Sequence, residues 1–297
     1  MFQKISVLAA AFLVATQQTT NAASVTMKVM SFNVRTSNAG DPCPQGCWDQ
    51  RKNRFKPLLE RYAPDFIGTQ ETAPPQTDYF QQTLGYTGFG ECAGECWGNE
   101  RNSIFYKNAN WELLQGQTFA LSDTPDAIGS NSWGLEYLRA AVLARFKHRA
   151  SGNTVCILNT HYDITRRQTD SSVLVAKRMA SYCKSTDTVI MMGDLNATPE
   201  TPQIKYLTGA ASINGGTTPF PMYETLSAAG AGGGTWIGQS FSNQLTGTKY
   251  DYIFSRRDEN HCLRSAKVIN DLFNGYSVSD HAVVQSEFTI GGGCTSC

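Results

Sequence analysis

The stretch Val189-Ile190-Met191-Met192-Gly193-Asp194-Leu195-Asn196-Ala197 decides the fold expected for this chain. Its continuous apolar run is typical of a strand that is buried on both faces. Because side chains two positions apart share one face of a strand, Asp194 and Asn196 point the same way. A carboxylate at the end of a buried strand is costly unless it binds a metal, has a partner or takes part in a reaction. The alternative is a turn cap, since Asp and Asn favour turns and Pro199 follows, and the motif alone does not separate the two.

Seven further apolar runs are typical of strands. They cover residues 25–34, 66–69, 103–106, 140–146, 154–160, 250–254 and 282–288. Helical periodicity is clearest at 53–62 and 170–183, where apolar side chains fall on one face. Strands that alternate with helices predict an α/β or α+β fold. No repeat or low-complexity linker divides the chain, so we expect a single domain over residues 23–297 after a signal peptide at 1–22.

Polar, acid-rich motifs stand at the ends of several predicted strands. They are Ser31-Phe32-Asn33-Val34-Arg35, Gly68-Thr69-Gln70-Glu71, Asn159-Thr160-His161-Tyr162-Asp163, Lys249-Tyr250-Asp251-Tyr252 and Ser279-Asp280-His281. Each motif alone has an ordinary explanation, such as a turn cap or a buried histidine. Together they supply the carboxylates, amides and imidazoles needed to hydrolyse a phosphate ester with a hard metal ion. Mg²⁺ prefers oxygen ligands and keeps several waters, so we assign the histidines to the substrate or to proton transfer.

The charge balance bears on the substrate. The formal net charge is zero, and removal of Lys4 with the signal peptide leaves 24 basic against 25 acidic residues, a net charge of −1. Tight non-specific binding to nucleic acid needs many Lys and Arg contacts with phosphates, so this balance argues against it. A local basic cleft stays open as an alternative. Two basic clusters, one at Arg51, Lys52, Arg54 and Lys56 and one at Arg166 and Arg167, are predicted to be solvated helix faces.

Export is predicted from both the N-terminus and the cysteines. Lys4 precedes the apolar run 5–15, which is too short to span a bilayer and resembles a signal peptide. We therefore expect a secreted, extracellular protein without stable membrane insertion. Nine cysteines agree with an oxidising compartment. Cys43 and Cys47 form one closely spaced pair and Cys92 and Cys96 another; export and the absence of nearby histidines favour disulfides over a zinc site, the competing interpretation, although connectivity cannot be read from the sequence. Cys156 and Cys183 can also form a bridge, Cys294 and Cys297 lie at the end of the chain, and one cysteine must be left over.

The motifs SFNVR, GTQE, NTHYD, GDLNATP, DYIF and SDH, in this order, resemble the successive motifs of the endonuclease/exonuclease/phosphatase superfamily. The segment WDQRKNRFKPLLERYAPDFIGTQE resembles its secreted branch. The resemblance covers essentially the whole chain after the signal peptide. It implies a deoxyribonuclease I-like fold, a four-layer α-β-β-α sandwich with the active site at one edge of two packed sheets. It also implies a metal-dependent phosphoric ester hydrolase that uses Mg²⁺, with Mn²⁺ as the alternative.

The resemblance assigns roles to matching positions around the metal and the attacking water. Glu71 matches the principal metal ligand, and Asn33 and Asp280 complete or support the metal site. Asp194 matches the carboxylate that orients and deprotonates the water. Asn196 matches the amide that holds the water and the phosphate.

Further positions match groups that contact the phosphate. His281, paired with Asp251, matches the histidine that stabilises charge on a non-bridging oxygen. His161 matches a second histidine, which contacts phosphate or protonates the leaving oxygen, and Glu100 is a candidate to orient it. Arg139 is a candidate phosphate clamp, with an exposed arginine at a strand end as the alternative.

The expected substrate is a phosphodiester, with RNA or DNA first and inositol, sugar or lipid-headgroup phosphates as the alternative. A non-catalytic secreted binding protein or effector is a third hypothesis, against which the full set of acidic, amide and histidine positions argues. Trp97, Trp133 and Trp236 can stack on bases or sugars or simply pack. The sequon Asn196-Ala197-Thr198 can accept a glycan, which would block the site. We expect a monomer.

Overall fold

Two six-stranded sheets form the centre of the protein. The computed structural model describes residues 23–96, 100–257 and 261–292. The first sheet contains β1 (Val25–Asn33), β2 (Phe66–Thr72), β3 (Thr87–Phe89), β4 (Arg101–Tyr106), β11 (His261–Ile269) and β12 (Val283–Ile290), in the order β11-β12-β1-β2-β4-β3. The second contains β5 (Trp111–Ala120), β6 (Ala140–His148), β7 (Thr154–His161), β8 (Thr188–Asp194), β9 (Met222–Glu224) and β10 (Asp251–Arg256), in the order β5-β6-β7-β8-β10-β9.

Helices pack against the sheets. They are α1 (Trp48–Tyr62), α2 (Pro74–Asp78), α3 (Gln168–Tyr182), α4 (Pro202–Leu207) and α5 (Thr225–Ala228), with a 3₁₀ turn at Ser37–Ala39 and a π-helical turn at Tyr79–Thr83. Helix α1 lies on the outer face of the first sheet, α3 and α4 lie on that of the second, and α5 lies at the edge between the two. The buried apolar residues divide into three clusters. One lies between the sheets, one between the first sheet and α1, and one between the second sheet and α3 with α4. The predicted four-layer α-β-β-α sandwich is confirmed.

Strand β8 shows why its sequence is apolar on both faces. Val189 and Met191 pack toward the helical layer, whereas Ile190 and Met192 pack between the sheets. All seven residues of the strand are buried. A period-two strand between two hydrophobic layers needs apolar residues at every position, which explains the continuous run.

The strand register brings the polar motifs to one edge of the sandwich. Strands β1 and β2 are parallel, as are β7 and β8. Asn33 at the end of β1 hydrogen-bonds to Asp194 at the end of β8, so all four strands end at the same side. Strand β10 is antiparallel to β8 and begins there, with Asp251 opposite Asp194. Strand β12 is antiparallel to β1, with Val284 opposite Ser31, so the preceding Asp280 and His281 lie at the end of β1.

The four outer strands are those that the apolar runs do not predict. Strands β3 and β11 border the first sheet, and β5 and β9 border the second. Strands β3 and β9 have three residues each, and β5 and β11 contain exposed and half-buried positions between buried ends. An outer strand has one partner and needs less apolar surface, so its sequence gives a weaker signal.

Two amide side chains join the sheets below the site. Gln70 on β2 donates from Nε2 to Asn159 Oδ1 on β7 at 2.7 Å. Asn159 in turn donates to the carbonyls of Thr69 at 2.8 Å and Ser103 at 3.0 Å in the opposite sheet. A Cβ at Gly68 would lie 2.7 Å from Asn159 Oδ1, so only glycine allows this approach. The network fixes the position of one sheet relative to the other.

The prediction of a solvated basic face on α1 is wrong for two of its four residues. Arg51 and Arg54 are buried, whereas Lys52 and Lys56 form surface pairs with Asp49 and Glu60. Arg51 donates to four backbone carbonyls, those of Gly46, Val34, Val278 and Arg35, at 2.7–3.0 Å. Burial lowers the pKa of Arg51 to about 10, so the guanidinium remains charged near neutral pH. Arg166 and Arg167 are exposed, as predicted.

The cysteine predictions are confirmed within the described residues. Disulfides join Cys43 to Cys47, Cys92 to Cys96 and Cys156 to Cys183. The competing zinc interpretation is therefore wrong for the first two pairs. In residues 23–96, 100–257 and 261–292, no helix has the length and apolar character needed to cross a membrane. The predicted signal peptide, Cys294, Cys297 and Trp97 lie outside the described residues.

Replacement of Arg51 by Met tests its structural role. The variant removes the side-chain donor to the Gly46 and Val278 carbonyls, whereas Gln76 still donates to that of Arg35; each unpaired buried acceptor costs about 1–3 kcal/mol, so we expect a total of about 3–5 kcal/mol. The free energy of unfolding, measured with urea, is expected to fall by that amount. Lys52→Met is the matched control on the exposed face and is expected to change stability by less than about 0.5 kcal/mol. Equal losses in the two variants would contradict the assignment.

Candidate active site

A cavity of about 530 Å³ opens at the edge where the polar strand ends meet. Its lining includes most of the predicted site residues: Glu71, Glu100, Arg139, His161, Asp194, Asn196, Asp280 and His281. Asn33 and Asp251 lie behind this lining and hydrogen-bond to residues in it. The structure thus brings together all ten candidate site residues that the sequence predicted.

Asp194 lies at the centre of the site. Its Oδ1 accepts the backbone N–H of Asn196 at 2.9 Å, and its Oδ2 accepts Asn33 Nδ2 at 3.0 Å. The same Oδ2 is 3.5 Å from His161 Nε2 and 3.7 Å from His281 Nε2. Gly193 lets β8 approach β7 just before this point, because a Cβ there would lie 2.1 Å from the Thr160 carbonyl oxygen.

Asn33 links carboxylates from the two sheets. Its Nδ2 donates to Glu71 Oε1 and to Asp194 Oδ2, both at 3.0 Å. Two carboxylate acceptors on one side of the amide require the NH₂ group there. The amide oxygen accepts the backbone N–H of Arg35 at 3.0 Å. Asn33 therefore supports the carboxylates through its nitrogen.

Asp280 and Arg35 form the next part of the cavity floor. Arg35 makes two hydrogen bonds to Asp41, at 2.9 and 3.0 Å, and its Nε is 3.6 Å from Asp280 Oδ2. Hydrogen bonding to Asp41 raises the pKa of Arg35. Burial raises the pKa of Asp280, and the negative charge of Glu71 adds to that rise, although His281 and Arg35 oppose it. Arg35 and Asp41 were not predicted as site residues; only the placement of Arg35 two positions after Asn33 pointed to it.

His281 is a buried, oriented imidazole. Its Nδ1 lies 2.8 Å from Asp251 Oδ2, and the Trp236 ring meets it edge to face at 4.8 Å between centroids. Burial lowers the pKa of His281, but Asp251 and Asp194 raise it by more, so the pKa lies well above its usual value. The two carboxylates thus favour the protonated imidazole, in which Nε2–H is a donor.

His161 also pairs with a carboxylate, that of Glu100. Its Nδ1 is 2.9 Å from both Glu100 Oε2 and Arg139 Nη1, and Arg139 also pairs with Glu100. Arginine has only N–H donors, so Nδ1 donates to Glu100 when it carries a proton and accepts from Arg139 when it does not. Burial and Arg139 lower the pKa of His161, whereas Glu100 and Asp194 raise it, and the net shift is upward. Burial raises the pKa of Glu100, but Arg139 and His161 lower it to about 2.

Asn196 faces this second histidine. Its Nδ2 is 3.0 Å from His161 Nε2 and donates to the Tyr162 carbonyl at 3.0 Å. Asn196, Glu71 and Arg35 all have left-handed backbone, with φ of 46°, 60° and 51°. Such conformations cost free energy in non-glycine residues and cluster at functional sites. The amide nitrogen that a glycan would need is thus engaged within the site.

Arg139 and the tryptophans occupy different environments. Arg139 is buried at the cavity, so the alternative of an exposed arginine at a strand end is wrong. Trp236 lines the cavity, whereas Trp133 packs against the core and donates to Asp123 at 2.7 Å.

The donor set fits a hard divalent cation. Glu71 and Asp280 both line the cavity, and carboxylate oxygens are ligands that suit Mg²⁺ or Mn²⁺. Asp194, Asp251 and His281 also have ligand atoms within 4.8 Å of one another. However, Asp251 Oδ2 and His281 Nδ1 are hydrogen-bonded to each other at 2.8 Å, so binding a metal through these two atoms would break that pair. The Glu71 and Asp280 side is therefore the better fit.

The sequence model of the Endonuclease/Exonuclease/phosphatase family matches residues 30–281. Protein angel of Drosophila melanogaster is 21% identical over 296 residues, which cover 89% of this chain and 80% of that protein.

Solved structures share the fold at low identity. A mannosyl-6-phosphatase of Bacteroides thetaiotaomicron has a TM-score of 0.77 and 21% identity, with 88% of this chain and 99% of that chain covered. D. rerio TDP2, complexed with a single-strand DNA product, has a TM-score of 0.67 and 16% identity, with 89% and 98% covered.

Glu100→Gln tests the electrostatic coupling at His161. The variant removes a carboxylate that raises the pKa of His161 and leaves Arg139, which lowers it. We expect the His161 pKa to fall by about one unit or more, so the imidazolium is lost at lower pH. NMR titration of the metal-free protein, assigned with His161→Gln, measures the shift. Glu91→Gln, in an exposed position of the preceding segment, is the control, and an unchanged His161 pKa in Glu100→Gln would contradict the pairing.

Proposed function

Because the chain belongs to the Endonuclease/Exonuclease/phosphatase family, whose members are metal-dependent phosphoric ester hydrolases, we propose that it is a secreted enzyme that uses Mg²⁺ to hydrolyse phosphodiester bonds in RNA or DNA. The observation that carries this proposal is the position of Asp194 between two histidines, each paired with its own carboxylate. Three disulfides support an oxidising, extracellular location.

Asp194 is proposed to be the base that activates water. Its two oxygens each accept one hydrogen bond from Asn196 or Asn33, and a carboxylate oxygen has a second lone pair. Asp194 can therefore accept a proton from water while its orientation stays fixed. Asn196, two residues beyond the end of β8, is proposed to hold the water and the phosphate. A positioned base contributes about 10²–10⁴-fold to such a reaction.

The histidines are proposed to stabilise the negative charge that develops on the phosphate oxygens. In-line attack increases the charge on the non-bridging oxygens and on the leaving oxygen, and fixed donors stabilise it. His281, oriented by Asp251, would donate from Nε2 to a non-bridging oxygen. His161, oriented by Glu100, would contact the phosphate or protonate the leaving oxygen. Arg139 would hold Glu100 and His161 in place and contribute positive charge to the phosphate.

Glu71 and Asp280 are proposed to hold the metal ion, with Asn33 fixing the orientation of Glu71. When bound, Mg²⁺ would supply positive charge that stabilises the phosphoryl group. Mn²⁺ binds the same oxygen ligands and is the alternative. Arg35 would balance the remaining negative charge of Asp280 and Asp41.

A phosphatase for sugar, inositol or lipid-headgroup phosphates is the second candidate function. It is favoured by the zero net charge of the chain, and one protein of similar fold is a mannosyl-6-phosphatase. The two functions share the chemistry at Asp194 and the histidines and differ in the group esterified to phosphate. Hydrolysis of RNA, single- and double-stranded DNA, sugar phosphates and inositol phosphates, with Mg²⁺ and with EDTA, separates them.

Asp194→Asn is expected to lower kcat by about 10²–10⁴-fold, because the amide cannot accept the proton from water. The kcat is measured on the best substrate from that panel, and circular dichroism and the melting temperature report folding. Glu200→Gln, six residues further along with a side chain that is 87% exposed, is the matched control and should retain activity. Near-normal turnover in a folded Asp194→Asn enzyme would refute the mechanism.

Glu71→Gln is expected to raise the Mg²⁺ concentration at half-maximal activity by at least about tenfold, because a neutral amide is a weaker ligand for a hard cation. Isothermal titration of the substrate-free protein with Mg²⁺ should show the same loss of affinity. Glu91→Gln serves as the control. Unchanged Mg²⁺ binding in Glu71→Gln would place the metal elsewhere, with the Asp194, Asp251 and His281 cluster as the next candidate.

A further inference from the structure

We propose that Tyr137 and Ile164, here named the ring platform, bind the uncharged nucleobase next to the scissile phosphate. The enzyme would thus recognise one phosphate and one neighbouring ring rather than an extended phosphate backbone. This inference rests on the proposed phosphodiesterase function and adds the substrate feature that the site recognises.

The ring platform is an apolar surface directly at the catalytic cavity. Tyr137 is 52% exposed and Ile164 is 49% exposed, and they are the two most exposed of the large hydrophobic side chains in the described part of the chain. Both line the same cavity as His161 and Asp194. Large apolar side chains that remain exposed beside a polar site favour a ligand with an apolar face.

The platform is connected to the phosphate end of the cavity through Arg139. The Arg139 guanidinium lies 5.2 Å from the centre of the Tyr137 ring and supports one side of it. Arg139 itself is buried and contacts Glu100 and His161. A ring stacked on Tyr137 would therefore lie close to His161, which is proposed to protonate the leaving oxygen. This is the arrangement expected for a base that is joined to the scissile phosphate through one sugar.

Asp163 joins the two loops that carry the platform. Its fully buried carboxylate accepts the backbone N–H groups of Glu136 at 2.8 Å, Thr165 at 3.1 Å and Arg166 at 2.9 Å. Burial raises the pKa of Asp163, but these three donors lower it by more, so the carboxylate stays ionised. Arg166 adds a bond from its side chain to the Gly134 carbonyl at 2.6 Å. The loops before Arg139 and after His161 are thus fixed to each other, and the platform is preorganised.

The cavity is lined by few charged groups and by several uncharged side chains. The charged lining residues are Arg35, Glu71, Glu100, Arg139, Asp194 and Asp280, besides the two histidines, and each of the acids has a place in the network already described. The other lining residues, among them Tyr137, Leu138, Ile164 and Trp236, are uncharged, and no lysine lines the cavity in the described ranges. A site that followed a long phosphate backbone would need several further cationic contacts. The uncharged wall suits a neutral ring instead.

The test compares a dinucleotide with its abasic analogue in wild type and in the double variant Tyr137→Ala/Ile164→Ala. Stacking of one base changes affinity by about 10- to 100-fold. We expect the double variant to lose that factor in kcat/KM for the dinucleotide, mainly through KM, and to change less than about twofold for the abasic analogue. Leu114→Ala/Leu272→Ala is the control, since these side chains are 43% and 39% exposed and do not line the cavity. An equal loss for both substrates would overturn the proposal.

Salt dependence gives an independent readout. For a single-stranded oligonucleotide of about 20 residues, log(kcat/KM) against log[salt] is expected to have a slope shallower than about −2, because few phosphates are bound. A slope of about −5 or steeper would overturn the proposal. Mannose 6-phosphate and glycerol 3-phosphate form a second pair of substrates, one with a ring and one without. If the double variant loses kcat/KM only for mannose 6-phosphate, the platform binds a sugar and the assignment to a nucleobase is refuted.

A binding experiment distinguishes failure of this inference from failure of the proposed function. The affinity of the Asp194→Asn protein for the dinucleotide and its abasic analogue, with and without the platform substitutions, is measured by isothermal titration. If wild type hydrolyses nothing with Mg²⁺, the proposed function fails, and a base-dependent loss of affinity in the platform variant still supports the inference. If hydrolysis occurs but neither binding nor kcat/KM depends on Tyr137 and Ile164, the inference fails alone.

Discussion

The hydrogen bonds that Asn33 donates to Glu71 and Asp194 connect the two sheets at the edge where the active site forms. Asn33 and Glu71 belong to the first sheet, and Asp194 ends the central strand of the second. Two carboxylates brought this close would repel each other, and the shared amide donor offsets that repulsion while it fixes their positions. The Gln70 and Asn159 network below the site holds the same register. Arg51 secures the loops beside it through the carbonyls of Arg35 and Val278.

The electrostatics of the site follow from this concentration of acids. Four carboxylates line the cavity (Glu71, Glu100, Asp194 and Asp280), with two guanidinium groups to balance them. Despite their burial, nearby carboxylates raise the pKa of both histidines, chiefly Glu100 for His161 and Asp251 for His281. The concentration of acids also suits the divalent cation that we propose to bind at Glu71 and Asp280. Protonated imidazoles and a hard cation are two ways of compensating the same excess charge, and both stabilise a phosphate.

Much of the fold could be predicted because the inner strands are buried on both faces. The eight apolar runs all correspond to observed strands, whereas β3, β5, β9 and β11 were missed because one partner strand and partial exposure leave no continuous apolar signal. Arg51 was misjudged for a related reason, since charge on a helix normally indicates a solvated face and only the carbonyl cluster around it makes burial favourable. The Tyr137 and Ile164 surface had no sequence signal, because its loops meet only through Asp163.

The sequence by itself determined the layered architecture and the residue types of the site, because periodicity and the polar ends of buried strands are local properties. The close spacing within two of the cysteine pairs favoured disulfides, but the connectivity of all three bridges came only from the structure. Tertiary structure alone decided which carboxylate faces each histidine, which arginines are buried, and what forms the wall of the cavity. These depend on contacts between segments far apart in the chain, such as Asn33 with Asp194 and Arg51 with Val278. Their geometry is set by the packing of two sheets, and no single segment contains that information.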